Sequence, residues 1–186
     1  NLTEAKKLEV NSNLWNLVSA EGGALVGVPH RGMYSINFER LSAERGYPMY
    51  TGPDGRPGHT YFWLQDTDTE FLHYHGPIDP VHTGGFYNRM EYKNFSLSFL
   101  MKFSFGNYVR LQPAYSAAYS DIYNVSKDLI NRWIYQGDER LVVIPSILDG
   151  YANNAELISE TGQQNNSVYT YNAYNFSTER VAKGDY

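Results

Sequence analysis

Residues 95–105 read FSLSFLMKFSF, from Phe95 to Phe105, and this stretch decides the fold. Its odd-numbered positions are all large and apolar, whereas four of its five even-numbered positions are polar. Because side chains alternate across a β-strand, the pattern predicts one hydrocarbon face and one hydrophilic face. At ~3.3 Å per residue and a tilt of about 45°, such a strand spans about 25 Å, the height of the apolar band of a membrane β-barrel.

Two folds use a strand of this kind. In a transmembrane β-barrel, the Phe, Leu and Met side chains face lipid, and Ser and Lys face a wet lumen. In a soluble β-sandwich, the same apolar face is buried against a second sheet. That sheet would need a strand of similar length, and we find no second pattern as long in the sequence. The barrel is therefore the favoured interpretation, and the sandwich stays open as the alternative.

A partner strand is predicted immediately before this one. In residues 86–93, Phe86, Met90 and Tyr92 share one face with Asn88. The dipeptide Lys93-Asn94 predicts a tight turn between the two strands, and residues 112–183 form a long excursion on the other side. A short turn opposite a long loop is typical of outer-membrane barrels. The side chains predicted to face the lumen are Arg89, Glu91, Ser96, Ser98 and Lys102.

Composition excludes several classes of function. The formal net charge of -5 argues against nucleic acid as a partner, and the absence of cysteine excludes disulfides and thiol nucleophiles. No apolar run approaches the ~20 residues of a membrane-spanning helix, so a membrane protein of this sequence must be a barrel. The 17 tyrosines suit membrane-interface girdles and sugar-binding loops alike. We expect the chain to be part of a longer polypeptide.

The rest of the sequence predicts shorter elements between turns. A Ser126 N-cap, followed by Leu129, Ile130 and Trp133 at helical spacing, predicts a helix that ends at Gly137. Strands are predicted at residues 33–38 and 61–64, an extension of the long strand at 108–111, a loop at 41–58 and an irregular tract at 151–177.

Several spaced motifs resemble the late-barrel region of SusC/RagA-type TonB-dependent outer-membrane transporters. The first is Gly76-Pro77-x-x-Pro80-x-x-x-Gly84-Gly85-Phe86, followed by Tyr92-Lys93-Asn94-Phe95-Ser96-Leu97-Ser98. The others are residues 27–38, Asn131-Arg132-Trp133 with Gly137-Asp138, Ile144-Pro145, and Arg180-Val181-x-x-Gly184-Asp185-Tyr186. The resemblance covers residues 17–186 and includes no plug domain and no TonB box.

The resemblance implies a fold and a function. Residues 1–186 would be part of one all-β domain, a segment of a transmembrane antiparallel β-barrel with long extracellular loops, in the bacterial outer membrane. The activity implied is TonB-dependent import of an oligosaccharide or a peptide. The partners implied are membrane lipid, a SusD-like surface lipoprotein as lid, the remainder of the barrel and its plug, and TonB acting through that plug. No cofactor is implied.

Tyrosines in the rim loops are the candidate substrate-binding residues. Aromatic rings stack on sugars and peptides, but the same residues also pack loop against loop. The substrate-binding candidates are Tyr115, Tyr119, Tyr123 and Tyr151, and further rim tyrosines are Tyr169, Tyr171 and Tyr174.

Metal and catalytic sites have weaker support. His73, His75, Asp79 and His82 are suitable transition-metal ligands, but Gly76-Pro77 interrupts them. Asp66, Asp68 and Glu70 lack the glycine turn and distal Glu of a calcium loop. No nucleophile and base, and no carboxylate pair, form a recognisable motif. We therefore expect no metal site and no enzyme. A secreted or surface glycan-binding β-sandwich and a secreted glycosidase are the rival functions.

Overall fold

The computed structural model describes residues 17–18, 27–29, 31–52, 55–59, 72–115, 125–147 and 166–185. The architecture of these residues is mostly β. The strands are β1 (Gly32–Ile36), β2 (Phe38–Leu41), β3 (Pro48–Thr51), β4 (Pro57–Gly58), β5 (Leu72–Pro77), β6 (His82–Tyr92), β7 (Phe95–Phe105), β8 (Tyr108–Arg110) and β9 (Val181–Lys183). One α-helix, α1, spans Asn166–Asn175, and short 3₁₀ helices span Lys127–Asn131, Asp138–Arg140 and Thr178–Arg180.

Strands β6 and β7 form the antiparallel hairpin that the sequence predicts. The register runs without interruption from Tyr92 opposite Phe95 to His82 opposite Phe105. The bounds of β7 agree with the prediction, whereas β6 begins four residues before the predicted start at Phe86. The two-residue turn is also confirmed. Its first residue, Lys93, has a φ of 53°, a left-handed conformation that matches the twist of tight hairpin turns.

The remaining strands form three small sheets, which we call the body together with α1 and the 3₁₀ helices. β1 pairs with β5, β2 and β4 flank β3, and β8 pairs with β9, all antiparallel. The body has its own apolar core, in which the side chains of Val18, Tyr34, Ile36, Tyr50 and Ala173 pack together. The start of β6 and the end of β7, which lie away from the turn, both connect to this body.

Residues 41–58, predicted as a loop, contain strands β3 and β4 and the end of β2. Pro48 and Tyr50 in β3 are buried, and Met49 and Thr51, which alternate with them, are half-buried. Proline occurs at the start of β3 and again at the start of β4, where a sheet tolerates a missing N–H donor. The turn-forming residues therefore mark the ends of very short strands.

Residues 108–111 do not extend β7 as predicted. The chain turns at Gly106, which has a φ of 85°, and β8 then pairs with β9. Arg110 lies opposite Val181, and Tyr108 lies opposite Lys183. The described end of the excursion predicted at residues 112–183 thus returns, through β9, to the segment that follows β7.

The helix predicted after Ser126 is only a single 3₁₀ turn. The Ser126 hydroxyl accepts a hydrogen bond from the Asp128 amide at 3.3 Å, so the predicted N-cap is confirmed. The turn ends at Asn131 because Arg132 is extended and forms a bridge with Ile144. Gly137 precedes the next 3₁₀ helix and does not end the first.

Helix α1 lies within the tract predicted as irregular. Its residues Tyr171, Ala173 and Tyr174 are at most 1% exposed. The Asn175 side chain accepts hydrogen bonds from the amides of Ala114 and Tyr115 and donates one to the Tyr115 carbonyl, at 3.0–3.1 Å. The helix is therefore stabilised by tertiary contacts that its Asn- and Tyr-rich sequence does not announce. The predicted strand at residues 61–64 lies outside the described residues.

The hairpin remains open at both edges. Within the described ranges, β6 and β7 pair with each other and with no third strand, and no sheet closes into a barrel. The predicted all-β class is nevertheless confirmed. None of the described helices is both long and apolar enough to cross a lipid bilayer.

Candidate functional site: an exposed hairpin and a packed rim

One face of the hairpin is a continuous apolar surface in contact with solvent. The register places Phe86, Met90 and Tyr92 of β6 on the same side as the odd-numbered residues of β7, together with the polar Asn88. Their exposed fractions run from 38% at Phe99 to 72% at Tyr92, values far above those of core residues. The members of this apolar face are Phe86, Met90, Tyr92, Phe95, Leu97, Phe99, Met101, Phe103 and Phe105. Soluble monomers seldom expose an apolar patch of this extent.

The opposite face of the hairpin carries the five residues predicted to face a lumen. Arg89 lies opposite Ser98, Glu91 lies opposite Ser96, and Lys102 lies opposite Gly85. The Arg89 guanidinium forms an ion pair with the Glu91 carboxylate. Both side chains are about 60% exposed, so the pair contributes at most about 1 kcal/mol to stability. The structure thus groups all five residues on one mainly hydrophilic face, which also carries the exposed side chains of Tyr87 and Leu100.

A glycine on the apolar face is covered by an aromatic ring from the neighbouring strand. Gly84 lies opposite Phe103, and the ring of Phe103 occupies the space where a β-carbon at Gly84 would be. Phe103 in turn stacks on Phe105, with ring centroids 6.2 Å apart. The glycine lets the ring lie flat against the sheet, which smooths the apolar face.

The end of the hairpin away from the turn is attached to the body by hydrogen bonds. The Gly106 amide donates to the Asp185 carboxylate at 3.0 Å, and the Gly184 amide donates to the Asn107 carbonyl at 2.9 Å. Ser104, which precedes this junction, is the one buried residue of β7. The body is therefore held at the open end of the hairpin, opposite the Lys93 turn.

A half-buried arginine and two histidines lie in the body next to this junction. Arg110 in β8 donates to the Tyr34 carbonyl at 2.6 Å and contacts the ring of Phe176, and burial lowers its pKa to about 10. His75 in β5 hydrogen-bonds to Ser35 at 3.0 Å through Nε2. Burial, and then the nearby charges of His73 and Arg110, lower the pKa of His75 from 6.5 to about 4.

The depressed pKa of His75 predicts acid sensitivity of the body. The folded state favours the neutral imidazole, so this stabilisation is complete above about pH 6.5 and is lost as the pH falls towards 4. We expect the melting temperature of the intact protein to fall across this interval, and to fall less in His75→Gln, which keeps a polar partner for Ser35. His82→Gln, an exposed control, should behave like the natural protein. Equal slopes for all three proteins would contradict the assignment.

The rim tyrosines that the structure describes are in the core. Tyr115 is 7% exposed, and its ring lies 5.0 Å from that of Tyr171. Tyr171 and Tyr174 are more deeply buried. In this structure Tyr115 packs against Tyr171 within the body, and its role in substrate binding stays a prediction. Tyr119, Tyr123, Tyr151 and the side chain of Tyr169 lie outside the described part of the chain.

The candidate metal ligands do not converge. His73 and His75 are adjacent, with ring centroids 4.5 Å apart, but Asp79 pairs with Arg31 at 2.6 Å and His82 packs on Phe105. In the described segments, no group of three or more His, Asp or Glu side chains is gathered for a metal ion. Asp66, Asp68 and Glu70 lie outside those segments.

Sequence reasoning missed a basic cleft of about 530 Å³ in the body. Its lining comes from the end of β2, the following turn, β3 and the 3₁₀ helix at Asp138–Arg140. A partial signal exists in the dipeptide Glu-Arg, which occurs at residues 39–40, 44–45, 139–140 and 179–180. The first three of these arginines line the cleft, and the fourth, Arg180, does not.

Comparison with known proteins supports the fold. No protein-family model matches the chain, and no curated protein matches it. Among solved structures, the chain is similar to one chain of the "Structure of the RagAB peptide importer in the 'open-open' state", with a TM-score of 0.55 and 15% identity. The match covers 98% of this chain and 17% of that one, so this chain spans about a sixth of the length of that neighbour. At this identity the likeness concerns the fold, and it identifies the chain as an all-β fragment similar to a portion of that protein.

Proposed function

We propose that this chain forms part of the wall and outer rim of a TonB-dependent outer-membrane importer. The observation that carries the proposal is the hairpin of β6 and β7, which has an apolar face exposed over its whole length and a hydrophilic face behind it. In a bilayer, hydrocarbon covers the first face and water in the lumen covers the second, so the exposure that is unfavourable in water becomes favourable. Its likeness in fold to part of the RagAB importer supports the same conclusion.

The hairpin sets an orientation for the chain. One end is a two-residue turn, and the other end leads into the whole described body. Barrels of this class have short periplasmic turns and long extracellular loops. In the proposed arrangement the Lys93 turn therefore faces the periplasm, and the body forms a rim on the cell surface.

The cargo and the partners follow from the importer assignment. The neighbouring structure is described as a peptide importer, which favours peptide over oligosaccharide as the imported nutrient. The proposed partners are membrane lipid, the remaining barrel strands and plug, TonB acting through that plug, and a SusD-like surface lipoprotein over the rim. The proposed role is passive: the wall and the rim bind and guide cargo and catalyse no reaction.

The soluble β-sandwich lacks support in the described part of the chain. It requires a second sheet over the apolar face of β7, and β7 is exposed there from Phe95 to Met101 without interruption. The three small sheets of the body have strands of two to six residues, too short to cover an eleven-residue strand.

Paired cysteine labelling tests the membrane assignment. In native membranes, we expect Phe99→Cys to react with a lipid-soluble, water-excluded probe and Ser98→Cys to react with a water-soluble probe, because adjacent residues point to opposite faces. As matched controls, the water-soluble probe is applied to Phe99→Cys and the lipid-soluble probe to Ser98→Cys. If Phe99→Cys in correctly assembled protein is silent to the lipid probe, the side chain is packed in protein and the hairpin does not face lipid.

A further inference from the structure

The basic cleft is a built cavity and not a chance surface depression. The turn at residues 42–46, which lines it, is closed by hydrogen bonds from the Gly46 amide to the Ser42 carbonyl (2.9 Å) and from the Tyr47 amide to the Ser42 hydroxyl (3.1 Å). Ser146 holds the turn from outside, because its hydroxyl donates to the Arg45 carbonyl at 2.7 Å and its amide donates to the Gly46 carbonyl at 3.1 Å. Two distant segments of the chain therefore fix this wall.

A tryptophan fixes the same turn from another side. Gly46 has a φ of 68°, and the Trp133 indole occupies the space where a β-carbon would lie. The floor of the cleft is equally ordered. Tyr47 is 2% exposed, and the His59 ring packs edge-on against it while Nδ1 hydrogen-bonds to the Pro48 carbonyl at 3.0 Å.

The acidic side chains near the cleft are largely engaged elsewhere. The Glu39 carboxylate, next to Arg40, accepts a hydrogen bond from the Thr51 hydroxyl at 2.9 Å. The Glu139 carboxylate, next to Arg140, accepts one from the Gly137 amide at 2.7 Å and one from the Trp133 indole at 3.4 Å. Two of the carboxylates therefore already accept hydrogen bonds from the protein.

Two of the basic side chains lack such hydrogen bonds. Among the described residues, the exposed guanidinium groups of Arg40 and Arg140 form no hydrogen bond or ion pair. Backbone hydrogen bonds, helped by the charge of Arg140, lower the pKa of the neighbouring Glu139 carboxyl. Arg45 lines the same cleft but has a further interaction of its own, so the proposal is built on Arg40 and Arg140. The lining holds three arginines against Glu44 and Glu139, a net charge of +1 in a chain of net charge -5.

We propose that this cleft binds a carboxylate-bearing ligand, with Arg40 and Arg140 as the groups that recognise it. Guanidinium groups present paired donors that match a carboxylate, and the bonds are stronger than those between neutral groups. A volume of about 530 Å³ is that of a small-molecule site rather than of a protein interface. The carboxylate could belong to an acidic peptide or to a uronic-acid oligosaccharide. The inference deepens the proposed function, since it rests on the body facing the medium as a rim.

Binding measurements on the intact protein in detergent test this site. The probes are the peptide Gly-Asp-Gly-Asp-Gly, a trimer of galacturonate, and their uncharged counterparts with Asn or with galactose. We expect at least one acidic probe to bind and its neutral counterpart to bind at least about tenfold more weakly. The double variant Arg40→Gln/Arg140→Gln should weaken acidic binding by about 10- to 100-fold. Both residues are exposed, so the variant should retain its fold.

The matched control removes two positive charges away from the cleft. Lys127→Gln/Lys183→Gln changes the net charge by the same amount, and neither residue lines the cleft. We expect it to change binding by less than about threefold, because neither lysine lines the cleft and salt screens the interactions of exposed charges. An equal loss in both double variants would mean general charge attraction and would overturn the site.

The remaining outcomes also decide the question. Binding of the peptide alone, of the galacturonate alone, or of both supports the site and identifies the source of the carboxylate. If neither probe binds, the proposal is overturned. This holds even if the arginine variant loses affinity for an acidic partner protein. Failure here is separable from failure of the importer proposal, because binding in detergent does not depend on the lipid labelling of Phe99→Cys.

Discussion

An arginine at position 99 is expected to prevent membrane assembly of the intact protein, whereas an arginine at position 98 is expected to be tolerated. Phe99 is the fifth of the eleven residues of β7 and lies on the apolar face, opposite Asn88. A lipid-facing arginine near the bilayer midplane costs roughly 2–4 kcal/mol in membrane barrels. Ser98 lies on the hydrophilic face opposite Arg89, where added charge remains in water.

The amount of heat-modifiable, protease-resistant protein in outer-membrane fractions measures this difference. Phe99→Leu is the control at the same position, because it keeps an apolar side chain, and it should assemble normally. Ser98→Arg should also assemble, with altered transport as the readout of a lumenal position. An equal loss of assembled protein with arginine at either position would contradict the assignment of opposite faces. Normal assembly of Phe99→Arg would show that Phe99 does not face lipid.

The hairpin could be predicted because its information is local. Period-two alternation marks both strands, and the turn joins residues adjacent in sequence, so Tyr92 and Phe95 need no distant contact to find each other. The start of β6 was missed because Gly84-Gly85 weakens a strand pattern. The structure explains this exception, since the Phe103 ring covers Gly84.

The body could not be predicted because its pairings are distant and its strands are short. Arg110 pairs with Val181, and Met33 pairs with Gly76, across intervals that no local pattern spans. Strands of two to four residues containing proline and glycine resemble turns in sequence. Helix α1 is buried on several sides and therefore lacks the amphipathic period that identifies surface helices.

The candidate site was predictable only in the hairpin. The five residues of the hydrophilic face follow from alternation alone. The tyrosines of the body could not be assigned in this way, because tyrosine suits a buried position and a binding surface equally well. Sequence alone could not show that Tyr115 and Tyr171 pack against each other. The cleft joins arginines from residues 40 to 140, and only the folded chain brings them together.

Replacing Arg180 with methionine is expected to be the most damaging single change in the body. Its side chain is 4% exposed, and Nη2 donates both to the Gln112 carbonyl and to the Asp128 carboxylate, the latter at 2.9 Å. The Arg180 carbonyl also accepts from the Leu111 amide at 2.9 Å, immediately before β9 pairs with β8. Arg180 therefore connects three segments of the body, at residues 111–112, 128 and 180.

The expected cost follows from what the substitution leaves behind. Removal of one partner of a buried ion pair costs about 3–5 kcal/mol, because the other charge stays uncompensated. The Asp128 side chain is 38% exposed, so water recovers part of this loss, and we expect about 2–4 kcal/mol in the stability of the body. Hydrogen exchange at the amides of residues 108–110 and 181–183 measures it directly, since β8 and β9 should open first.

Arg31→Met provides the matched control for the Arg180 substitution. Arg31 also pairs with an aspartate, Asp79, at 2.6 Å, but the two side chains are 40% and 60% exposed. An exposed pair contributes at most about 1 kcal/mol, so this variant should change exchange rates little. In a double-mutant cycle, Asp128→Asn should cost less in the Arg180→Met background than alone, because the uncompensated charge is removed. Equal effects of the two arginine substitutions on hydrogen exchange would show that burial of the Arg180 pair does not stabilise the body.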